Sequence, residues 1–271
     1  MCRLLKMPRS SYYYKAVEPV SETDLEERVR TLFEENKSIY GARKLKQLLE
    51  AEGLIVSRRR IRRVMKKYNL VSAYQKSAYK PHSKGKNEAP IPNHLNRQFD
   101  AHQPLAALVT DLTYVRVSRR WAYVCLIIDL YNREIIGLSL GWQKSAELVK
   151  QAIQSIPYAL TKVNLFHSDR GKEFDNSLID EMLGAFNITR SLSQAGCPYD
   201  NAVAESTYKA FKIEFINQET FHSLEELNIK TKNYVHWWNY HRIHGSLNYQ
   251  TPMAWRVIAK IKKHFMGTSK N

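Results

Sequence analysis

Three acidic side chains in this 271-residue sequence stand where only a strong local interaction would justify them. Asp111 interrupts the apolar run Val109-Thr110-Asp111-Leu112-Thr113-Tyr114, and an acid inside an apolar strand is costly unless a partner or a cation compensates. Asp169 follows a short apolar stretch, in His167-Ser168-Asp169-Arg170-Gly171. Glu205 falls in a helical pattern, Asp200-Asn201-Ala202-Val203-Ala204-Glu205-Ser206. Three ionised carboxylates in one cleft repel, so their convergence makes sense chiefly around divalent cations. Oxygen-only donors favour Mg²⁺ or Mn²⁺. Two such ions about 4 Å apart would activate an attacking oxygen and stabilise a leaving oxygen at phosphorus. Hydrolysis and strand transfer are then one chemistry with two nucleophiles, water or a DNA 3′-hydroxyl.

Convergence requires a scaffold, and the pattern from residue 105 supplies one. Leu105–Val117 and Trp121–Leu130 read as strands, the second apolar on both faces as in a covered sheet. Ile136, Leu138, Leu140 and Trp142 alternate onto one face of a third strand. A helix through Leu148, Ala152, Ile156 and Ala159 follows, then a strand at Val163–Phe166, a helix at Asn176–Phe186, a strand at Ile188–Leu192 and a longer helix at Asp200–Phe215. The order β-β-β-α-β-α-β-α predicts an α/β fold, a mixed five-stranded sheet with flanking helices. In such a sheet the fourth strand can lie parallel to the first and bring Asp169 to Asp111. Asp129 is a further acid to consider for metal binding, and Asp175 and Asp200 suit turns or an N-cap. Asn201 and Ser168 are candidates for orienting the three acids.

Ahead of this region the grammar is all-α. Helices are expected from Ser21, from about Gly41 and after Ser57, with Leu25, Val29, Leu32 and Phe33, then Ala42, Leu45, Leu48 and Leu49, then Ile61, Val64, Met65 and Tyr68 as apolar stripes. The third carries Arg58, Arg59, Arg60, Arg62, Arg63, Lys66 and Lys67 around an intact stripe. A helix-turn-helix places such a helix in the major groove with phosphate contacts around it. Arg-rich helices also bind RNA, and the segment alone does not separate the two. The divisions expected are a helical remnant at 1–20, a helix-turn-helix domain at 21–72, a basic proline-punctuated linker at 73–104, a catalytic core at 105–220 and a helical extension at 221–271.

Bulk properties point the same way. There are 42 Lys and Arg against 26 Asp and Glu, a formal charge of +16, which calls for a polyanionic partner. No apolar run approaches the length of roughly 18 residues that a membrane helix needs, and Pro8 and Arg9-Ser10-Ser11 preclude a signal-peptide core. The expected setting is cytoplasmic, at the nucleoid, with no membrane partner. Cys2, Cys125 and Cys197 form no Cys-x-x-Cys pair and suggest reduced thiols. The spacing of His236, His241 and His244 suggests zinc, but no cysteine or acid completes a site. Tyr234, Trp237, Trp238 and Tyr240 suit the packing of a helix on the core, with His241, Arg242 and His244 reaching DNA phosphate.

Taken with the C-terminal Trp238-Asn239-Tyr240-His241-Arg242-Ile243-His244 and Thr251-Pro252, the three acidic motifs resemble those of the second-reading-frame (OrfB) transposases of the IS-three family of bacterial insertion sequences, in the retroviral-integrase, RNase H-like superfamily. Residues 170–204 place 35 residues between Asp169 and Glu205, the spacing of that family's D-D-35-E triad. The resemblance covers nearly the whole chain. Phe174, where Tyr is common, and Cys197-Pro198-Tyr199, where the segment usually contains Trp, depart from the pattern without touching the triad.

The resemblance implies a DDE transposase with an RNase H-like core that binds terminal inverted repeats, cuts 3′ ends and joins them to target DNA, as a homo-oligomer. It also implies a working form fused by frameshift to an upstream-frame OrfA product, which residues 1–16 suit as the second half of a helical unit. Lys212, two helical turns after Glu205, and Lys209 are then candidates to hold the transposon-end phosphate. The rival expectations are a nuclease of the same fold without joining activity, a non-catalytic regulatory remnant, and an RNA-binding protein using the Arg-rich helix.

Overall fold

Ser21 opens the first helix as its side chain predicts, its hydroxyl accepting from the Asp24 N–H, and α1 runs Glu22–Glu35. The structure is a computed structural model that describes residues 8, 13, 21–75, 92–96, 103–194, 198–258 and 261. Most of the expected remnant at 1–20 and most of the linker at 73–104 lie outside them, as do Cys2 and Cys197. The chain forms two compact units, one within residues 1–72 and one within 73–271.

In the first unit, α2 spans Ala42–Ala51 and α3 spans Arg58–Lys67. Gly53 takes the left-handed backbone (φ 84°) that lets the chain leave α2. Ser57 caps α3 by accepting from the Arg60 N–H at 3.3 Å. Leu25, Val29, Leu45, Leu49 and Ile61 are almost completely buried, so each expected stripe faces one core. Leu48 stays at the rim of that core.

The second unit is built on five strands: β1 (Ala107–Val117), β2 (Arg120–Asp129), β3 (Ile135–Gly141), β4 (Leu165–Ser168) and β5 (Thr189–Leu192). Their order is β3-β2-β1-β4-β5. The β1–β2 and β2–β3 pairs are antiparallel, whereas β1–β4 and β4–β5 are parallel. This is the mixed sheet that the strand order predicts, with β4 beside β1.

Helix α4 (Ala146–Gln154) packs directly on β3. A Cβ at Gly137 would lie 2.7 Å from the Ala152 carbonyl, so this approach needs glycine. The helix ends at Ser155, earlier than the apolar pattern through Ala159 suggests. Pro157 explains the difference, because the residue before proline is pushed out of helical geometry. Helix α5 (Ser177–Ala185) follows β4, and α6 (Ala202–Glu214) follows β5.

Helix α7 (Leu224–Tyr240) closes the unit. Tyr234 stacks on Phe215 with centroids 5.2 Å apart and meets Phe211 edge-on, which locks α7 to the end of α6. Asn239 of α7 takes the Ile135 N–H and gives to the Ile135 carbonyl, both at 2.9 Å, satisfying the outer edge of β3 as a neighbouring strand would. Tyr234, Trp237 and Trp238 are buried as expected, whereas Tyr240 is exposed. Among the described residues no helix is long and apolar enough to cross a membrane.

Candidate active site

Asp111 sits at the middle of the central strand, opposite Leu126 of β2. Asp169 lies one residue beyond β4, which pairs with β1 through Ala107–Val109. The parallel register, with Val109 beside His167, thus carries the second acid toward the level of the first. Glu205 is exposed in the first turn of α6.

Two contacts hold the start of α6 against β1. The Asn201 side-chain amide donates to the Thr110 carbonyl at 3.1 Å. One turn after Glu205, the buried Tyr208 hydroxyl accepts from the Leu126 N–H at 2.5 Å and donates to the Asp111 carbonyl. The phenol therefore reads the backbone of both strands at the level of Asp111. Sequence reasoning missed Tyr208, although its position three residues after Glu205 put it on an adjacent helical face.

The electrostatics are those of acids awaiting a counter-charge. Burial, the negative charge of Asp169 and, more weakly, those of Glu205 and Glu173 push the Asp111 carboxyl up to about 7, against one backbone N–H from Leu112. Burial also raises Asp169, with Glu173 adding to the effect, while the Gly171 N–H at 3.0 Å and Lys144 oppose it. The fold thus brings Asp169 and Glu205 within electrostatic reach of Asp111. Among the described residues no three His, Cys, Asp or Glu side chains lie close enough together to hold one ion. The donor set itself, carboxylate oxygens whose ionisation their neighbours oppose, fits a divalent cation.

Glu173, which sequence reasoning passed over, is a fourth acid here. It is only 6 % exposed and pairs with Lys144 at 2.8 Å. A Cβ at Gly171 would collide with its carboxylate, so glycine makes room for the pair. Lys144 also feels Asp169 and Asp111, and so places one positive charge beside the acids. Ser168 gives its hydroxyl to the Asp169 carbonyl at 3.0 Å. His167, fully buried between the Ser191 and Ser193 hydroxyls at 2.8 and 3.1 Å, is pushed down to about 4 by burial and stays neutral.

Other candidates fall elsewhere. Asp129 is fully buried, bound to Arg256 at 2.8 Å and to the Leu105 and Tyr131 N–H groups, so its carboxylate is already satisfied by protein. Asp200 is buried and accepts from the Gln194 N–H, and Asp175 pairs with Arg190. Arg242 corrects an expectation. It is buried, gripping the fully buried Glu214 carboxylate at 2.6 Å with its other face over Trp238, and so is not placed to reach phosphate. His244 is buried beside it, while His241 is exposed. Lys209 is exposed and Lys212 half-buried on α6. On α3, Arg58, Arg59, Arg62, Arg63 and Lys66 are exposed, while Arg60 and Lys67 reach Glu22 and Glu26 of α1 at 2.6 and 2.7 Å.

A mixed five-stranded sheet whose central strand carries one acid, with a second just beyond the parallel β4 and a third on α6, is the core of a polynucleotidyl transferase of the integrase type. Residues 101–198 and 186–252 each match an integrase core domain family, and residues 21–78 match an HTH-like domain. The transposase InsK of insertion sequence element IS150, from Escherichia coli K12, is 30 % identical over 264 residues, covering 94 % of this chain and 92 % of that protein. A transposase of insertion sequence element IS1353, from Shigella flexneri, is 30 % identical over 259 residues, covering 93 % of this chain but only half of that protein. The catalytic core of BIV integrase aligns with 59 % of this chain and 99 % of its own length, at 16 % identity and a TM-score of 0.43. The chain belongs to the transposases of the IS-three family of bacterial insertion sequences. It is a transposase acting on DNA, and enzymes with this core depend on a divalent metal.

Proposed function

We propose that Asp111, Asp169 and Glu205 are the catalytic acids, and that they hold two Mg²⁺ or Mn²⁺ ions for cleavage at the 3′ ends of the element and transfer of those ends to target DNA. The observation that supports this most is the position of Asp111. It lies on the central strand, and both Asp169 and Glu205 oppose its ionisation. Bound metal would supply Lewis acidity at the attacking and leaving oxygens. The chain's own residues do the rest. Tyr208 and Asn201 hold α6 in register with β1, which sets where Glu205 stands. Asp111 and Asp169 are half-buried, which strengthens each charge interaction there. Lys212 and Lys209 bind backbone phosphate of the transposon end along α6.

Arg58, Arg59, Arg62, Arg63 and Lys66 of α3 supply further phosphate contacts, and Arg60 and Lys67 stabilise the helix through α1. The duplex bound is the terminal inverted repeat, and the active species is a homo-oligomer on DNA at the nucleoid. The chain works fused by frameshift to an upstream OrfA product.

The test is cleavage and joining of a labelled transposon-end duplex with Mg²⁺ or Mn²⁺, using the fused wild type beside Glu205→Gln. Metal-dependent cutting and joining that vanish in the variant are expected. Activity that survives in Glu205→Gln would reassign the acid. Cutting without joining would indicate a nuclease, and end binding without either would indicate a regulatory remnant.

A further inference from the structure

Beyond the acids, the far end of the β1–β2 hairpin and the segment leading into α7 enclose a recess of about 380 Å³. Two exposed aromatic rings line it, Tyr114 at 55 % and Trp121 at 47 % exposure, packed edge-to-face with centroids 5.1 Å apart, beside the buried Phe221. Large apolar rings left half in solvent on a strongly basic chain need a partner to justify them.

Each ring is covered by a cation. Lys212 Nζ lies 4.8 Å from the Tyr114 centroid, and the Arg116 guanidinium lies 5.1 Å from that of Trp121. The recess is built rather than incidental. The Ser118 N–H donates to the Phe221 carbonyl at 2.8 Å and the Ser118 hydroxyl to the His222 carbonyl at 3.0 Å, fixing the hairpin turn to the opposite wall. Glu219, the acid on that wall, is paired with Lys230 at 2.8 Å.

Position supplies the ligand. Tyr114 lies three residues after Asp111, about 10 Å along an extended strand and on its other face. Lys212 lies seven residues after Glu205, about 10 Å along a helix. Duplex DNA advances about 3.4 Å per nucleotide along its axis and an unpaired strand further, so the recess stands at most about three nucleotides from the acids.

We propose that it takes an unpaired base of the DNA strand being processed, within about three nucleotides of the scissile phosphate. The proposal rests on the assignment of the catalytic acids only for that distance. Exposed cation–π contacts are weak, and a charge-assisted hydrogen bond to phosphate is stronger. DNA therefore draws Lys212 and Arg116 from the rings onto the flanking phosphates, and the uncovered ring faces stack the base. Such stacking is tolerant of base identity, since every base has a π-face.

The test needs neither metal nor catalysis. The full chain is titrated with a short single-stranded oligonucleotide and with an abasic oligonucleotide of the same length and charge. A third oligonucleotide carrying 5-iodouracil is cross-linked by light and its adduct mapped by mass spectrometry. Wild type is expected to prefer the base-bearing strand by at least about fivefold, the lower end of single-base stacking, and to cross-link at Tyr114 or Trp121. Tyr114→Ala and Trp121→Ala should lose the preference while binding the abasic strand unchanged. Tyr114→Phe and Trp121→Phe should keep it, which controls for folding.

Equal binding of the two strands by wild type, or adducts only elsewhere, overturns the proposal. So does a preference that survives both alanine variants. A loss of self-association in Trp121→Ala with base preference intact would make the recess a contact between copies, and also overturns it. Failure of the Glu205→Gln test would leave these binding results standing, so the two readings fail separately.

Discussion

At Tyr208 a single hydroxyl joins two strands and a helix, and its removal is the sharpest test of how the site is held. Tyr208→Phe leaves the buried Leu126 N–H without its side-chain acceptor. That should cost about 1–3 kcal/mol, read from the denaturant midpoint. Joining activity should fall about tenfold as Glu205 loses register, because small misplacements of catalytic groups cost one to two orders of magnitude. Unchanged activity with reduced stability would make the tyrosine purely structural. His167 gives a pH signature. Its folded pKa, about 4, lies below the ordinary 6.5, so the unfolded chain binds the proton first. Stability therefore rises with pH across that window and is lost as pH falls from about 6.5 toward 4. Thermal unfolding across this range should show a shallower decline in His167→Gln, and an equal decline would place the proton elsewhere. Asp111 and Asp169 were legible because an acid in an apolar strand and an acid at a strand end are anomalies of local pattern, whereas Glu205 was singled out by its spacing from Asp169 in the family resemblance. Glu173 and Tyr208 were not legible, since a Glu two residues past a motif and a Tyr on a helix are locally ordinary. Only the pairing with Lys144 and the backbone of β1 gives them meaning.

Among the elements, α3 and α7 show what periodicity conveys and what it leaves out. The cationic face of α3 follows directly from its apolar stripe, but the sequence did not show that Arg60 and Lys67 are shared with α1. The salt dependence of DNA binding separates the two groups. Neutralising Arg62 and Arg63 together should flatten the slope of log K against log salt by roughly two units. Neutralising Arg60 and Lys67 should flatten it less, since acids of α1 already compensate them. Equal effects would mean that DNA displaces Glu22 and Glu26. Near α7 the sequence misled. Arg242 was expected to reach DNA phosphate with His241 and His244 from the end of a packing helix, yet its guanidinium neutralises Glu214 in the interior. Arg242→Met leaves that carboxylate buried without its partner and should cost about 3–5 kcal/mol in chemical denaturation. The salt slope of DNA binding should not change, whereas a slope reduced by about one unit would restore the phosphate contact.

For the whole molecule, the strand order was readable because meandering strands followed by crossovers admit few un-knotted sheets. The early end of α4 was not, because the apolar pattern continues past Pro157 while the backbone cannot. The division into two units has a further consequence. The core of the first is complete within residues 1–72, whereas the Asp111–Tyr208 clasp joins residues 97 apart and must wait for nearly the whole catalytic unit. Domains fold in order as the chain is synthesised. A ribosome that stops early, or a protease that nicks the second unit, therefore releases fragments with a finished α3 and no assembled acids. If α3 contacts DNA as proposed, such fragments hold element ends without cutting them, and incomplete copies of the protein then compete with complete ones and restrain the element's own movement.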